Sequence, residues 1–155
     1  MKNLQDIIQE KLKIGSKTKV SEYKYYPKDK DELKELLKKL IIERGKDANL
    51  NDIDTSKITD MSNLFKWLDP HNIDISKWNV SNVIDIKGMF YGCENFNSDL
   101  SNWNVFNVKN MYCMFYDCKN FNSDLSEWDV SKVTNIKKMF MGCSLEKNPP
   151  KWYKE

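Results

Sequence analysis

The sequence has no long run of apolar residues. No segment of the 155-residue chain approaches the roughly 20 apolar residues that a helix needs to cross a bilayer. The N-terminal segment alternates charged and apolar residues, whereas a signal peptide needs an unbroken apolar core. We therefore expect no membrane contact and a cytoplasmic location, or the extracellular surface if the chain is a processed fragment.

The sequence also has few of the residues and motifs that carry chemistry. It has one histidine, His71, and its closest cysteines, Cys113 and Cys118, are further apart than the two to four residues typical of metal sites. It contains neither a glycine-rich phosphate loop nor a Gly-x-Ser-x-Gly motif. The sequence therefore predicts no catalytic residue, no metal and no cofactor, which argues against an enzyme.

What the sequence does contain is a 25-residue repeat. Three near-copies read Leu/Ile-Ser-x-Trp-x-Val-x-x-Val-x-x-Ile/Met-x-x-Met-Phe-x-x-Cys, with Trp78, Trp103 and Trp128 in register. Repeats of this length are typical of solenoids, in which each copy covers the apolar face of its neighbour. Within one copy, residues 100–105 suggest a strand, and the apolar spacing of three and four over 108–118 suggests a helix. We expect an α/β solenoid with one strand-turn-helix unit per copy.

The chain divides into a capping segment and a repeat region. Residues 1–48 are predicted to form a helix over 3–14, a strand over 18–26 and a helix over 29–44 that covers the first repeat. Residues 49–155 hold four repeats at 50–74, 75–99, 100–124 and 125–149, the first of them degenerate, and a C-terminal cap at 150–155. Tyr153 falls in the tryptophan position of an unfinished fifth copy.

Alignment of the repeats assigns structural roles to several polar residues. His71 aligns with Phe96 and Phe121, which predicts an apolar or semi-exposed position. Asp74 and its counterparts are expected to hold turns rather than calcium, because the glycine-rich calcium-loop spacing is missing. The cysteines are expected to be small buried thiols, although a strained Cys93–Cys118 disulfide is geometrically conceivable. The sequence does not decide whether all four are reduced: Cys93, Cys113, Cys118 and Cys143.

Residues 74–93, Asp-Ile-Ser-Lys-Trp-Asn-Val-Ser-Asn-Val-Ile-Asp-Ile-Lys-Gly-Met-Phe-Tyr-Gly-Cys, resemble the repeat of BspA-like leucine-rich-repeat surface proteins of low-GC bacteria. Residues 50–65 are similar to the usual entry into that repeat. The resemblance implies a short right-handed leucine-rich-repeat-like solenoid that contacts other proteins, often in adhesion. It implies no catalytic residue.

The third repeat departs from the others at aromatic positions. Phe106 replaces serine, Tyr112 replaces lysine, and Tyr116 follows Tyr112 by four residues, which would place both on one helix face. Tyr91 is the counterpart of Tyr116 in the second repeat. Because exposed aromatic clusters are typical binding anchors, these four residues are the predicted protein-binding patch.

The sequence favours a non-catalytic protein-interaction module, predicted to be monomeric. An intracellular inhibitor of a larger enzyme, such as a phage-encoded anti-defence protein, is one such function, and a bacterial surface adhesin is the alternative. A third function is nucleic-acid binding through the lysine-rich N-terminal segment, although a surplus of four positive charges over residues 1–48 is weak support. Its candidate residues are Lys11, Lys13, Lys17, Lys19, Lys24 and Lys28.

Overall fold

The computed structural model describes residues 3–7 and 22–155. Its principal helix, α1, spans Lys30–Arg44, as the sequence predicts. The helix begins at Asp29, whose carboxylate accepts a hydrogen bond from Glu32 N at 2.9 Å, and it ends at Gly45 with φ +91°. Residues 4–7 are also helical, whereas the remainder of the predicted 3–14 helix lies outside the described residues.

Helix α1 covers the first repeat with one face. Leu33, Leu37 and Leu40 are fully buried in the same apolar cluster as the repeat residues. At the start of the helix, Lys30 Nζ lies 2.8 Å from Asp60 Oδ2, and at its end the Arg44 guanidinium binds Asp52 through two contacts of 2.9 and 3.0 Å. The predicted N-terminal helical cap is thus present, and polar contacts hold both of its ends.

The predicted α/β solenoid of strand-turn-helix units is wrong. From Gly45 to Glu155 no residue is helical, and the extended contacts of the described residues are isolated parallel bridges rather than a sheet. The repeats consist of turns. The predicted strand over 18–26 is also wrong in its described part, since within 22–26 only Tyr25 forms a bridge, to Ile53.

The backbone of each repeat alternates between local and neighbouring partners. The amides of Ile86, Gly88 and Phe90 donate to carbonyls of the next repeat, each to the residue that precedes its own counterpart there. By contrast, the amides of Met89 and Cys93 donate to carbonyls of the same repeat, three residues earlier in the chain. A helix would need every amide to bond four residues back, so this arrangement excludes one. It produces instead a ladder of turns, and parallel bridges join Asp60, Asp85, Asn110 and Asn135 in succession.

Asparagine and aspartate side chains hold these turns. Asp85 Oδ1 accepts from Lys87 N at 2.8 Å, and Asn110 Oδ1 accepts from Tyr112 N at 3.1 Å. Each of the three aspartates for which a turn role is predicted likewise accepts from the amide two residues ahead. The distances are 3.1 Å for Asp74, 3.0 Å for Asp99 and 2.9 Å for Asp124. That prediction is confirmed for Asp74, Asp99 and Asp124.

The core consists of columns of identical side chains in successive repeats. Phe90 stacks on Phe115 at 5.6 Å with an angle of 2° between the rings. Each tryptophan of the repeat motif donates its indole N–H to the carbonyl of a residue in the preceding repeat, as Trp103 Nε1 does to Ile75 O at 3.0 Å. These contacts satisfy the one polar atom of a large buried side chain, and every copy that has the tryptophan reproduces them.

The C-terminal residues close the last repeat. The amide of Tyr153 donates to Pro150 O, which is the local turn that each repeat tryptophan makes. The side chain that takes the tryptophan position is nevertheless Trp152, which stacks on Trp128 at 6.4 Å and donates to Leu125 O at 2.8 Å. The backbone register therefore matches the alignment, but the indole comes from the preceding residue. In the described part of the chain, no helix is long and apolar enough to span a membrane.

Candidate interaction site

A surface cavity of about 330 Å³ lies on the surface turns next to the buried phenylalanine of each repeat. All four repeats contribute to it. We call it the tyrosine cavity, and its lining residues are Asn63, Lys66, Lys87, Gly88, Tyr91, Tyr112, Cys113, Tyr116 and Lys138.

One backbone position of each repeat lines the tyrosine cavity. Asn63, Gly88, Cys113 and Lys138 are equivalent residues of the four successive repeats, and their φ values lie between 53° and 58°. The left-handed conformation turns the chain at this point in every copy. Gly88 has no side chain, and the Asn63 side chain lies over it, where an added Cβ would collide with Asn63 Oδ1.

The tyrosines form the aromatic part of the cavity. Tyr91 and Tyr116 stack face to face with ring centroids 4.7 Å apart and an angle of 3°. Lys66 Nζ lies 4.8 Å from the Tyr91 centroid, so a cation covers the other face of that ring. Tyr112 is 38% exposed.

The phenols of Tyr91 and Tyr112 keep their protons at neutral pH. Partial desolvation, together with the nearby phenol of Tyr116, raises the pKa of Tyr91. A hydrogen bond with the Cys113 side chain raises the pKa of Tyr112. Both groups therefore stay protonated; the Tyr91 hydroxyl can donate to a ligand, whereas that of Tyr112 already has Cys113 as a partner.

The charge of the lining is positive. Among the described residues that line the cavity, Lys66, Lys87 and Lys138 carry charge, and none is acidic. None of the ion pairs found among residues 3–7 and 22–155 includes these three lysines. The cavity therefore combines aromatic surface with positive charge that no carboxylate of the described chain neutralises in an ion pair.

The predicted patch is brought together in part. Tyr91, Tyr112 and Tyr116 line one cavity, although turns rather than a helix face place them there. Phe106 does not line it, is 41% exposed, and has Lys132 Nζ 4.1 Å from its ring centroid.

The sequence prediction did not include the three lysines of the cavity. The repeat alignment contains a signal that could have found them. Lys66 is the counterpart of Tyr91 in the first repeat, and Lys87 is the counterpart of Tyr112 in the second. Positions that place a tyrosine in the cavity in one repeat therefore place a lysine there in another.

Residues 32–152 match the family DUF285, described as a Mycoplasma protein of unknown function. The chain belongs to the DUF285 family. The matched segment begins within α1 and ends at Trp152, so it contains all four repeats and the tyrosine cavity. No curated protein and no solved structure matches the chain. The similarity to BspA-like proteins therefore stays a prediction.

The other residues singled out in the sequence have structural partners. His71 is half-buried, and its Nε2 lies 3.7 Å from Asp69 Oδ2, while the same carboxylate lies 2.6 Å from Lys46 Nζ. Over the described ranges, no group of three or more histidine, cysteine, aspartate or glutamate residues is placed to hold a metal.

All four cysteines are free and buried. The Cys118 thiol donates to Phe90 O at 3.0 Å, and the Cys93 thiol donates to Phe65 O at 3.4 Å. Burial raises the pKa of Cys93 to about 12 and also raises the pKa values of Cys118 and Cys143. These three residues therefore remain thiols at neutral pH and are poor nucleophiles.

Proposed function

We propose that this protein is a non-catalytic interaction module that binds a protein partner through the tyrosine cavity. The observation that carries the proposal is the clustering of Tyr91, Tyr112 and Tyr116 around one recess of the surface. Tyrosine is enriched at protein interfaces because its large, stiff ring loses little conformational entropy on binding and its hydroxyl provides a polar contact.

The fold does not require these tyrosines. The core consists of the tryptophan, valine, methionine, phenylalanine and cysteine columns, which are buried in successive repeats except that Val130 and Val133 of the last repeat are partly buried. At the position of Tyr112 the other copies carry serine or lysine, and at the position of Tyr116 the first and last copies carry Lys66 and Met141. Aromatic residues at these positions add surface that a partner can cover.

The inhibitor, adhesin and nucleic-acid-binding functions stay predictions. The inhibitor and the adhesin are both protein-binding proteins and are compatible with the proposal. For nucleic-acid binding, four of the six candidate lysines lie outside the described residues. Of the other two, Lys24 has its Nζ 4.0 Å from Asp52 Oδ2.

The double substitution of Tyr112→Ala with Tyr116→Ala tests the proposal. We expect it to abolish capture of a partner from native lysate by the tagged protein, as measured by mass spectrometry of the bound fraction. The thermal midpoint should fall by only a few degrees, because the substitution removes one exposed ring and one stacked pair worth about 0.5–1.5 kcal/mol.

Phe106→Ala is the matched control, since it removes an exposed aromatic residue outside the cavity. It should leave capture of the same partner intact. Equal capture by the wild type and both variants would contradict the proposal, as would loss of cooperative unfolding in the double variant.

A further inference from the structure

Part of the aromatic face of the tyrosine cavity is covered from within the chain. Tyr91 and Tyr116 cover one face of each other, and Lys66 covers the second face of Tyr91. The edge of an aromatic ring carries partial positive charge, and a protonated phenol donates a hydrogen bond. The groups that remain available are therefore suited to a negatively charged ligand.

The lysines are placed to hold such a ligand. Lys66 Nζ lies 5.3 Å from the Trp67 centroid as well as 4.8 Å from that of Tyr91, so two rings position its ammonium group. Lys87 and Lys138 contribute two further charges to the same recess. A partner that brings carboxylates there would form charge-assisted hydrogen bonds.

Two carboxylates adjoin the lining residues, and their charges reach the cavity: Asp117 acts on the Tyr91 phenol and Glu155 on the Lys138 ammonium. Asp117, which follows Tyr116, lies with its Oδ1 against Gly142, where an added Cβ would collide with it. Glu155 Oε1 accepts from the backbone amide of Lys138 at 3.0 Å, and Glu155 Oε2 accepts from the Tyr153 hydroxyl at 2.7 Å. Neither carboxylate forms an ion pair with a cavity lysine.

The repeats that carry the three lysines span a distance that a short extended peptide can cover. Lys66, Lys87 and Lys138 belong to the first, second and fourth repeats, and parallel backbones joined by hydrogen bonds lie about 4.8 Å apart, so the outer two repeats are separated by about 14 Å. An extended peptide rises about 3.3 Å per residue, so four or five residues span that distance.

We propose that the tyrosine cavity binds an acidic segment of a partner protein, with carboxylates on Lys66, Lys87 and Lys138 and adjoining apolar atoms against the tyrosine edges. This inference rests on the proposed function and names the chemistry of the partner. A single-stranded nucleic acid fits less well, because bases stack on open aromatic faces, whereas both faces of Tyr91 and one face of Tyr116 are covered.

The test uses a fluorescein-labelled ten-residue peptide of alternating glutamate and serine, with a glutamine-and-serine peptide as its uncharged match. Fluorescence anisotropy with the full chain should show binding of the glutamate peptide alone. The triple variant K66Q, K87Q and K138Q should weaken it about tenfold, as expected for three lost charge contacts of modest strength.

A second triple variant separates this effect from net charge. Lys109, Lys147 and Lys151 are exposed residues outside the cavity, and their replacement by glutamine removes the same charge. It should change affinity less than about threefold, in line with exposed charges at a distance. Equal losses in the two triple variants would overturn the inference, as would equal binding of the two peptides.

Three further outcomes decide between the inference, its alternatives and the proposed function. Tighter binding of an oligo-dT strand than of the glutamate peptide, with the same dependence on the cavity lysines, would overturn the inference in favour of nucleic acid. Failure of the glutamate peptide to bind, while partner capture still requires Tyr112 and Tyr116, would overturn the inference and leave the proposed function standing. Loss of that tyrosine dependence would instead overturn the proposed function.

Discussion

Two positions of every repeat adopt a left-handed backbone, and they account for the failure of the helix prediction. The first holds Asn63, Gly88, Cys113 and Lys138, and the second holds Trp67, Gly92, Asp117 and Gly142. Two such residues four positions apart interrupt any helix, although the apolar side chains between them keep a helix-like spacing. Only three of the eight are glycine, so the sequence carries little sign of the conformation.

Gly92 and Gly142 provide a matched pair with the same φ of +71°. A Cβ at Gly92 would meet no atom within 4 Å, whereas at Gly142 it would collide with Asp117 Oδ1. Gly92→Ala should therefore lower the free energy of unfolding by about 1 kcal/mol, the usual effect of a left-handed alanine. Gly142→Ala should lower it by about 1 kcal/mol more, because the Asp117 side chain must also move.

Urea unfolding of the two glycine variants measures the difference. Equal losses would show that the Asp117 side chain moves aside freely.

At the scale of elements, helix α1 is the part that local sequence determines. Its N-cap Asp29, its acidic first turn and its C-terminal Gly45 are all within or next to the helix. Its attachment is not local, since Arg44 binds Asp52 and also lies 5.6 Å from the Tyr25 ring centroid. These contacts join the helix end, the segment before it and the first repeat.

The Arg44–Asp52 pair should make stability depend on acidity. The hydrogen bonds from Arg44 lower the pKa of Asp52. A carboxylate with a lowered folded-state pKa stabilises the protein above its unfolded pKa of about 3.9, and that stabilisation is lost as pH falls through the folded-state value. Asp52→Asn should therefore reduce the free energy of unfolding at pH 7 and have a much smaller effect at pH 2.

Glu127→Gln is the control for the acidity experiment, because Glu127 is exposed and outside every ion pair of the described residues. Urea titrations at pH 7, 4 and 2 should show no comparable effect for this variant. An Asp52→Asn effect that is the same at all three values would contradict the assignment to the ion pair.

At the scale of the whole molecule, the constant register between repeats creates the tyrosine cavity. Asn63 and Lys138 are far apart in sequence, yet both line it, because each repeat places its equivalent residue beside that of the repeat before. The same register aligns the core, as the stacking of Phe115 on Phe140 at 5.9 Å shows. Core and cavity therefore both depend on the constant register between repeats.

Deletion of residues 100–124 tests the dependence on register. It removes one whole repeat, keeps the register, and eliminates Tyr112, Cys113 and Tyr116. The shortened chain should unfold cooperatively at a lower midpoint, because it loses one interface between neighbouring repeats. It should also bind the glutamate peptide more weakly, because two of the three cavity tyrosines are gone and the spacing of the retained lysines changes, while circular dichroism still shows a folded protein.

Deletion of residues 101–124 is the control, since it removes one residue fewer and shifts every later column by one position. This chain should not unfold cooperatively. Similar melting curves for the two deletions would contradict the dependence on register.

The sequence predicts the candidate site only in part. The repeat alignment identified Tyr91, Tyr112 and Tyr116 as departures from the core pattern, and the structure places them together. Phe106 departs from the pattern as clearly but lies elsewhere, because side-chain direction follows the turns rather than the alignment. The cavity lysines do not stand out in the sequence, because a lysine at the surface is ordinary and only its neighbours distinguish it.

The sequence by itself determined the repeat boundaries, the buried columns and helix α1. Each of these follows from residues close together in the chain or from the demand that identical apolar positions be buried. The tertiary structure alone decided the conformation of each repeat and the composition of the tyrosine cavity. Backbone amides bind carbonyls of the next repeat rather than those one helical turn back, and this pairing depends on a neighbouring repeat being present.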